Sequence, residues 1–135
     1  VGAGGAASAI AFGLADAGIS HITIANRSAV RAAELASRLA ATYPGLSIST
    51  DDQDIEHHDL IVNGSTLGMR SSDAEPVDFT RIHARHLVAD AIMEPAMTPL
   101  LEAAQSKGAT IFPGKPMLES QILLMAKHMG ALPQD

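Results

Sequence analysis

Two short stretches carry residue types that could bind a charged dinucleotide. The run Val1-Gly2-Ala3-Gly4-Gly5-Ala6-Ala7 has the form GxGxxA and leads straight into an Ala-rich helical pattern. Gly2 permits a tight turn, Gly4 lets the backbone approach a bound group, and Ala7 keeps the helix start slim enough to pack on a sheet. Such a turn leaves backbone N–H groups at a helix N-terminus, where unpaired donors and the positive dipole end suit a pyrophosphate. The second stretch is Asn26-Arg27-Ser28, with Arg31 one helical turn later. In a dinucleotide-binding βαβ unit, an acidic residue roughly 20 residues past the glycines holds the ribose hydroxyls of NAD. A carboxylate there would repel a 2′-phosphate, whereas Arg27 and Arg31 would clamp one and Ser28 would donate a hydrogen bond to it. The alternative is a pair of exposed helix-start charges. Cations at a helix N-terminus are slightly unfavourable, however, so two of them call for a reason. The pattern points to NADP over NAD.

The elements that must position these residues follow from pattern and punctuation. Helix is expected over residues 6–17 with Gly18 closing it, and over 29 to about 42 with Ser28 as N-cap. Strands are expected at 21–25, 46–50, 60–63, 87–92 and 110–112. Thr98-Pro99 opens another helix, hydroxyl at the N-cap and Pro at the first position, ending at Gly108; a last helix is expected over 116–129. The acidic stretch 51–59 reads as a short solvated helix or loop, and 70–85 as irregular. Strands alternating with helices at this spacing predict an α/β fold, a Rossmann-type doubly wound parallel sheet in three layers, forming one domain over residues 1–135. A phosphate-binding turn of this kind needs a strand before it, central in the sheet. Only Val1 precedes the turn, so the first strand is expected to be largely cut off and the chain to be a segment of a longer polypeptide.

Composition narrows the partners. The chain has 135 residues, a net charge of −6 and only 3% aromatic residues, without Trp. That balance argues against nucleic acid, because no Lys/Arg cluster exists to replace counterions and few rings exist to stack bases. The absence of cysteine removes disulfide and thiolate chemistry and is compatible with a cytoplasmic setting. No apolar run approaches the roughly 20 residues that span a bilayer, and no export signal is visible. The histidine pairs His57-His58 and His83/His86 lack supporting carboxylates at metal-site spacing, so no metal is expected.

Further blocks extend the pattern. Asn63-Gly64-Ser65-Thr66-Leu67-Gly68-Met69 resembles the Asn-Ala-Thr-Ser-x-Gly-Met loop of the shikimate dehydrogenase family. Asp90-x-x-Met93-x-Pro95-x-x-Thr98-Pro99-Leu100-Leu101 resembles that family's Asp-x-x-Tyr-x-Pro-x-x-Thr-Pro-Leu-Leu segment, and Gly114-x-x-Met117-Leu118-x-x-Gln121 its Gly-x-x-Met-Leu-x-x-Gln turn and helix. With the two N-terminal stretches, five ordered blocks cover nearly the whole chain. The resemblance implies reduction of 3-dehydroshikimate to shikimate with NADPH, in aromatic amino acid biosynthesis, by a monomer or homodimer. It places Gly2, Ala3, Gly4, Gly5 and Ala6 on the pyrophosphate, and Asn26, Arg27, Ser28 and Arg31 on the 2′-phosphate. Ser65, Thr66, Leu67, Ala91 and Gly114 would line the ribose and nicotinamide, with Met93 and Gln121 facing substrate.

Two departures stand out. Met93 occupies the family's usual Tyr position, which removes a hydroxyl donor, and Asn-Gly-Ser-Thr replaces Asn-Ala-Thr-Ser. Met93 favours a quinate/shikimate or aminoshikimate-type paralogue, since a pocket that hydrogen-bonds a substrate hydroxyl discriminates strongly. The family's catalytic Lys and Asp sit in an N-terminal substrate domain, and nothing in these residues matches their motifs. No catalytic residue is assigned, Lys115 included, and this segment alone is expected to be inactive. A reading of another class is a nucleotide-binding regulatory or interaction module without catalysis.

Overall fold

The computed structural model describes residues 1–50, 54–117 and 119–120. Gly5–Asp16 form α1, His21–Thr23 β1, Ala29–Thr42 α2, Ser47–Ser49 β2, Leu60–Asn63 β3, Leu87–Asp90 β4, Pro99–Ser106 α3 and Thr110–Phe112 β5. The two predicted hydroxyl caps are present. Ser28 Oγ accepts from Arg31 N–H at 3.4 Å and Thr98 Oγ1 from Leu101 N–H at 3.3 Å, satisfying amides that a helix start leaves unpaired. The expected last helix begins early, with residues 114–117 and 119–120 helical; its remainder, including Gln121, lies outside the described residues.

All strand pairs are parallel. β1 pairs with β2, and β3-β4-β5 form a second ladder. Val1 and Gly2 join the two. The Val1 nitrogen donates to Val62 O at 2.6 Å, Val1 O accepts from Gly64 N–H at 2.8 Å, and Gly2 N–H donates to Ala25 O at 2.7 Å. The resulting order, β2-β1-(Val1–Gly2)-β3-β4-β5, is that of a doubly wound nucleotide-binding sheet, in which ligands bind at the carboxyl ends of the strands where the order reverses.

Three strands, β1, β2 and β4, are shorter than the sequence pattern predicts, and the ends of β1 and β4 have identifiable reasons. Ile24 N–H still donates to Ser49 O at 2.8 Å, but Ala25 O turns to serve Gly2 instead of continuing the β1–β2 ladder. β4 stops at Asp90 because that residue's own carboxylate takes the Ile92 N–H at 3.0 Å. Within the stretch 51–59, expected as a short solvated helix or loop, the described residues 54–59 are partly structural. Asp54 caps a 3₁₀ turn at Ile55–His57 and pairs with Arg81 at 2.8 Å, while Glu56 takes Arg81 Nε at 3.3 Å.

The apolar residues form two clusters, one for each ladder. Ala11, Ala15, Ile24, Leu35 and Leu39 pack α1 and α2 against β1–β2; Ile61, Ile82, Val88, Leu100, Leu101 and Ala104 pack α3 against β3–β5. Leu39, Leu100 and Leu101 are completely buried, each stabilising the fold by about 1.5–3 kcal/mol. With so few aromatic rings, small Ala faces let the helices approach the sheet closely.

Candidate functional site

The glycine turn and the start of α2 meet. Gly4 is the N-cap of α1 with extended backbone, and no side chain caps the helix, so its first amides face outward. An open groove of about 640 Å³ runs between this turn and α2, lined by Gly4, Gly5, Ser8, Phe12, Arg31 and Arg38 among others. Arg31, Glu34 and Arg38 line the α2 side of this groove, so two guanidiniums and one carboxylate share it with the positive end of α1, a net positive setting suited to an anion. Arg38 was not evident in the sequence as a groove residue. It is held there by its guanidinium lying 5.3 Å over the Phe12 ring, a cation–π contact between α2 and α1. The i, i+7 spacing of Arg31 and Arg38 was the available signal.

Asn26 and Ser28 shape the segment that carries Arg27. The Asn26 amide donates to Ser28 O at 3.0 Å, and Ser28 caps α2, leaving Arg27 exposed at the carboxyl end of β1. Gly2 has φ +104, which only glycine adopts readily, and a Cβ there would sit 3.1 Å from the Gly64 carbonyl carbon.

The loop after β3 and the segment after β4 also come together. Ser65, Thr66 and Leu67 follow Asn63, whose side chain is buried and organises them. Its amide oxygen accepts from Ser65 N–H at 3.1 Å and Ser65 Oγ at 2.6 Å, while its amide nitrogen donates to Leu67 O at 2.9 Å. Leu67 N–H in turn donates to Ser65 Oγ at 3.2 Å. Asp73 closes the far side, accepting from Arg70 N–H at 2.9 Å and Gly68 N–H at 3.1 Å; these bonds, that to Arg70 foremost, hold its carboxyl below the usual range.

Gly114 is the third component. A Cβ on it would fall 2.5 Å from Ile92 O and 2.8 Å from Ala91 O, so only glycine lets this turn rest on the Ala91–Ile92 backbone. Met93 follows at 44% exposure, and the rim continues to exposed Met69 and Phe112. Met93 and the next residues, including a cis Glu94–Pro95 peptide, stand at the carboxyl end of β4. Beneath them lies a residue that in the sequence is only one position of a motif. Asp90, fully buried, accepts from Asn63 Nδ2, Ile92 N–H and Thr98 Oγ1. The eight-residue spacing from Asp90 to Thr98 gives no hint of that contact until the chain is folded.

His86 lies away from the groove. Read in sequence as an ordinary loop histidine, it is in fact buried, with Nδ1 accepting from His83 N–H at 2.9 Å. Nε2 is buried without a hydrogen-bond partner among the described residues. Burial, with Arg85 and His83 nearby, lowers its pKa from 6.5. Among the described residues, no helix is long and apolar enough to cross a membrane.

Comparison with known proteins agrees with this geometry. The family described as Shikimate / quinate 5-dehydrogenase matches residues 1–91. A shikimate dehydrogenase (NADP(+)) of Halorubrum lacusprofundi is 43% identical over 119 residues, covering 87% of this chain and 42% of the relative. Shikimate 5-dehydrogenase of Thermus thermophilus, solved with NADP(H) and shikimate, superposes with a TM-score of 0.79 at 30% identity, over 98% of this chain and 49% of that one. The 5-ketofructose reductase of a Gluconobacter strain superposes with a TM-score of 0.85 at 31% identity, over 99% of this chain and 50% of that one. The chain thus spans less than half the length of the curated relatives it matches. With the family matched over its first 91 residues, and with a parallel α/β sheet that places the glycine turn, the Asn63 loop and the Asp90 segment along one edge, the chain belongs to the shikimate/quinate 5-dehydrogenase family.

Proposed function

We propose that this chain is the NADP-binding Rossmann domain of an oxidoreductase that reduces 3-dehydroshikimate or a closely related cyclohexane acid. The observation that carries the reading is the groove between α1 and α2, where an uncapped helix start shares the lining with Arg31, Glu34 and Arg38, with Arg27 at the end of β1. The geometry fits a phosphorylated dinucleotide. The cradle at Gly2 is one that a Cβ would crowd, and the outward amides of residues 4–6 supply donors without a carboxylate at the end of β1.

In this reading Gly2 to Ala6 hold the pyrophosphate and Arg27 and Arg31 the 2′-phosphate, with Asn26 and Ser28 fixing the loop that presents Arg27. Ser65, Thr66, Leu67, Ala91 and Gly114 form the wall against ribose and nicotinamide. Bound NADPH supplies a hydride to the substrate carbonyl carbon. The developing alkoxide then needs a proton donor, which the resemblance assigns to a Lys and an Asp of a separate substrate domain. Gln121 can donate and accept at once and is proposed to meet a substrate hydroxyl. The substrate is small, and the setting proposed is cytoplasmic.

One observation favours a second reading of the substrate. Met93, half-exposed on the rim, cannot donate the hydrogen bond that a Tyr would, and the strong likeness to a 5-ketofructose reductase shows this architecture serving a different ketone. The test is a panel on the intact polypeptide: 3-dehydroshikimate, dehydroquinate, amino analogues and ketoses, each with NADPH and NADH. Turnover of a cyclohexane acid with NADPH is the expected result. Tight NADPH binding with no turnover of any member would replace the enzyme reading with that of a nucleotide-binding module.

A further inference from the structure

A buried polar hub under the site belongs to none of the roles assigned so far. Asn63, Asp90 and Thr98 are each completely buried, on three different elements: the ends of β3 and β4 and the N-cap of α3. Asp90 Oδ2 accepts from Thr98 Oγ1 at 2.7 Å and lies 3.3 Å from Asn63 Nδ2; Oδ1 accepts from Ile92 N–H at 3.0 Å and lies 3.2 Å from Asn63 Nδ2. Asn63 passes the constraint on through its bonds to Ser65 and Leu67, and its backbone O accepts from Ala91 N–H at 2.9 Å. A surface carboxylate would compete with water for such donors. Here every donor is committed, and removing the acceptor leaves buried N–H and O–H groups unpaired.

We infer that Asp90 is a positioning residue for hydride transfer: its carboxylate sets the separation between the Ser65–Leu67 loop and the Ala91–Met93 segment. The inference rests on the proposed function, in which those two segments face the nicotinamide. Asp90 touches neither cofactor nor substrate. It acts through the Ile92 amide on one side and the Asn63 side chain on the other. The phosphate-binding half is anchored separately, in the other apolar cluster, by α1 and α2. The hub therefore governs one end of the dinucleotide and leaves the other alone.

Asp90→Asn in the intact enzyme keeps the shape and presents an NH₂ to groups that are already donors. Single-turnover hydride transfer should slow at least 10-fold and the substrate KM should rise, while the Kd of adenosine 2′,5′-bisphosphate, which lacks the nicotinamide end, stays within twofold. Thr98→Val removes one donor to Asp90 together with the α3 cap and should slow transfer less, and Thr98→Ser, which keeps the hydroxyl for both bonds, should recover it. If Asp90→Asn does not fold, the Thr98 pair decides alone. Simple destabilisation would lower kcat in proportion to the folded fraction and leave KM unchanged. Hydride transfer within twofold of the parent in folded Asp90→Asn, or in Thr98→Val where Asp90→Asn is unfolded, overturns the inference. Failure of the parent enzyme itself to bind adenosine 2′,5′-bisphosphate would instead overturn the cofactor reading beneath it.

Discussion

Gly64 and Ala7 are in backbone contact: a Cβ built on Gly64 would lie 2.7 Å from Ala7 Cα and 2.8 Å from Ala7 Cβ. The two positions share one small volume between α1 and the loop after β3. The Ala7 of the GxGxxA turn thus makes its slim contact with Gly64, which stands where the family loop has Ala. Gly64→Ala should destabilise the domain by about 1–3 kcal/mol through overpacking. Adding Ala7→Gly should restore only part of that, since the α1 backbone stays too close. Denaturant melts of the two single variants and the double variant check this; full recovery in the double variant would show that side chains alone set the spacing.

Arg27 and Arg31 bear on cofactor choice. Arg27→Ala should weaken NADPH by about 1.5–3 kcal/mol, as for a lost bond to a charged group, and leave NADH nearly unchanged. Arg31→Ala should follow the same pattern. Titration of both nucleotides measures it, and an equal loss for the two would remove the 2′-phosphate assignment.

Met93 offers a gain-of-function test. It is half-exposed on the rim, so a larger polar ring can be accommodated without burying a hydroxyl. Met93→Tyr should raise kcat/KM for a hydroxylated cyclohexane acid by roughly 3- to 10-fold, the range of one added neutral hydrogen bond. A fall for every substrate would mean that the thioether itself packs against the substrate.

His86 links stability to pH. Its folded pKa lies below 6.5, so between those two values the unfolded chain binds the proton more readily than the folded one. Its stabilising contribution is complete above 6.5 and is lost as pH falls toward the folded value. The slope contributed by this one group is at most about 1.4 kcal/mol per pH unit. His86→Gln should flatten the fall in melting temperature between pH 7 and 5.5, and an unchanged profile would assign that fall to other groups.

Much of this architecture was legible before folding. The β3 and β5 boundaries, the start and end of α2 and the Ser28 and Thr98 caps follow from periodicity, hydroxyls and prolines, all local signals. The glycine turn and Arg31 were legible because their spacing is a property of one βαβ unit. What escaped is long-range. Asp90 looked like one letter of a motif, and only packing brings Thr98 to its carboxylate. His86 looked solvated because sequence does not show that Ile55 and β5 flank it. Arg38 acquires its meaning from Phe12, on another helix.

The Val1–Gly2 seam gives the molecule two leaves. Each leaf has its own apolar cluster, and Val1 and Gly2 bond to both, to Val62 and Gly64 on one side and to Ala25 on the other. In the proposed pose, a dinucleotide holds one leaf by its phosphates and the other by its nicotinamide. It would act as a staple across the two ladders, and binding would appear as slower amide exchange at Gly2, in the pyrophosphate turn, and at Gly64, beside the Ser65–Leu67 wall.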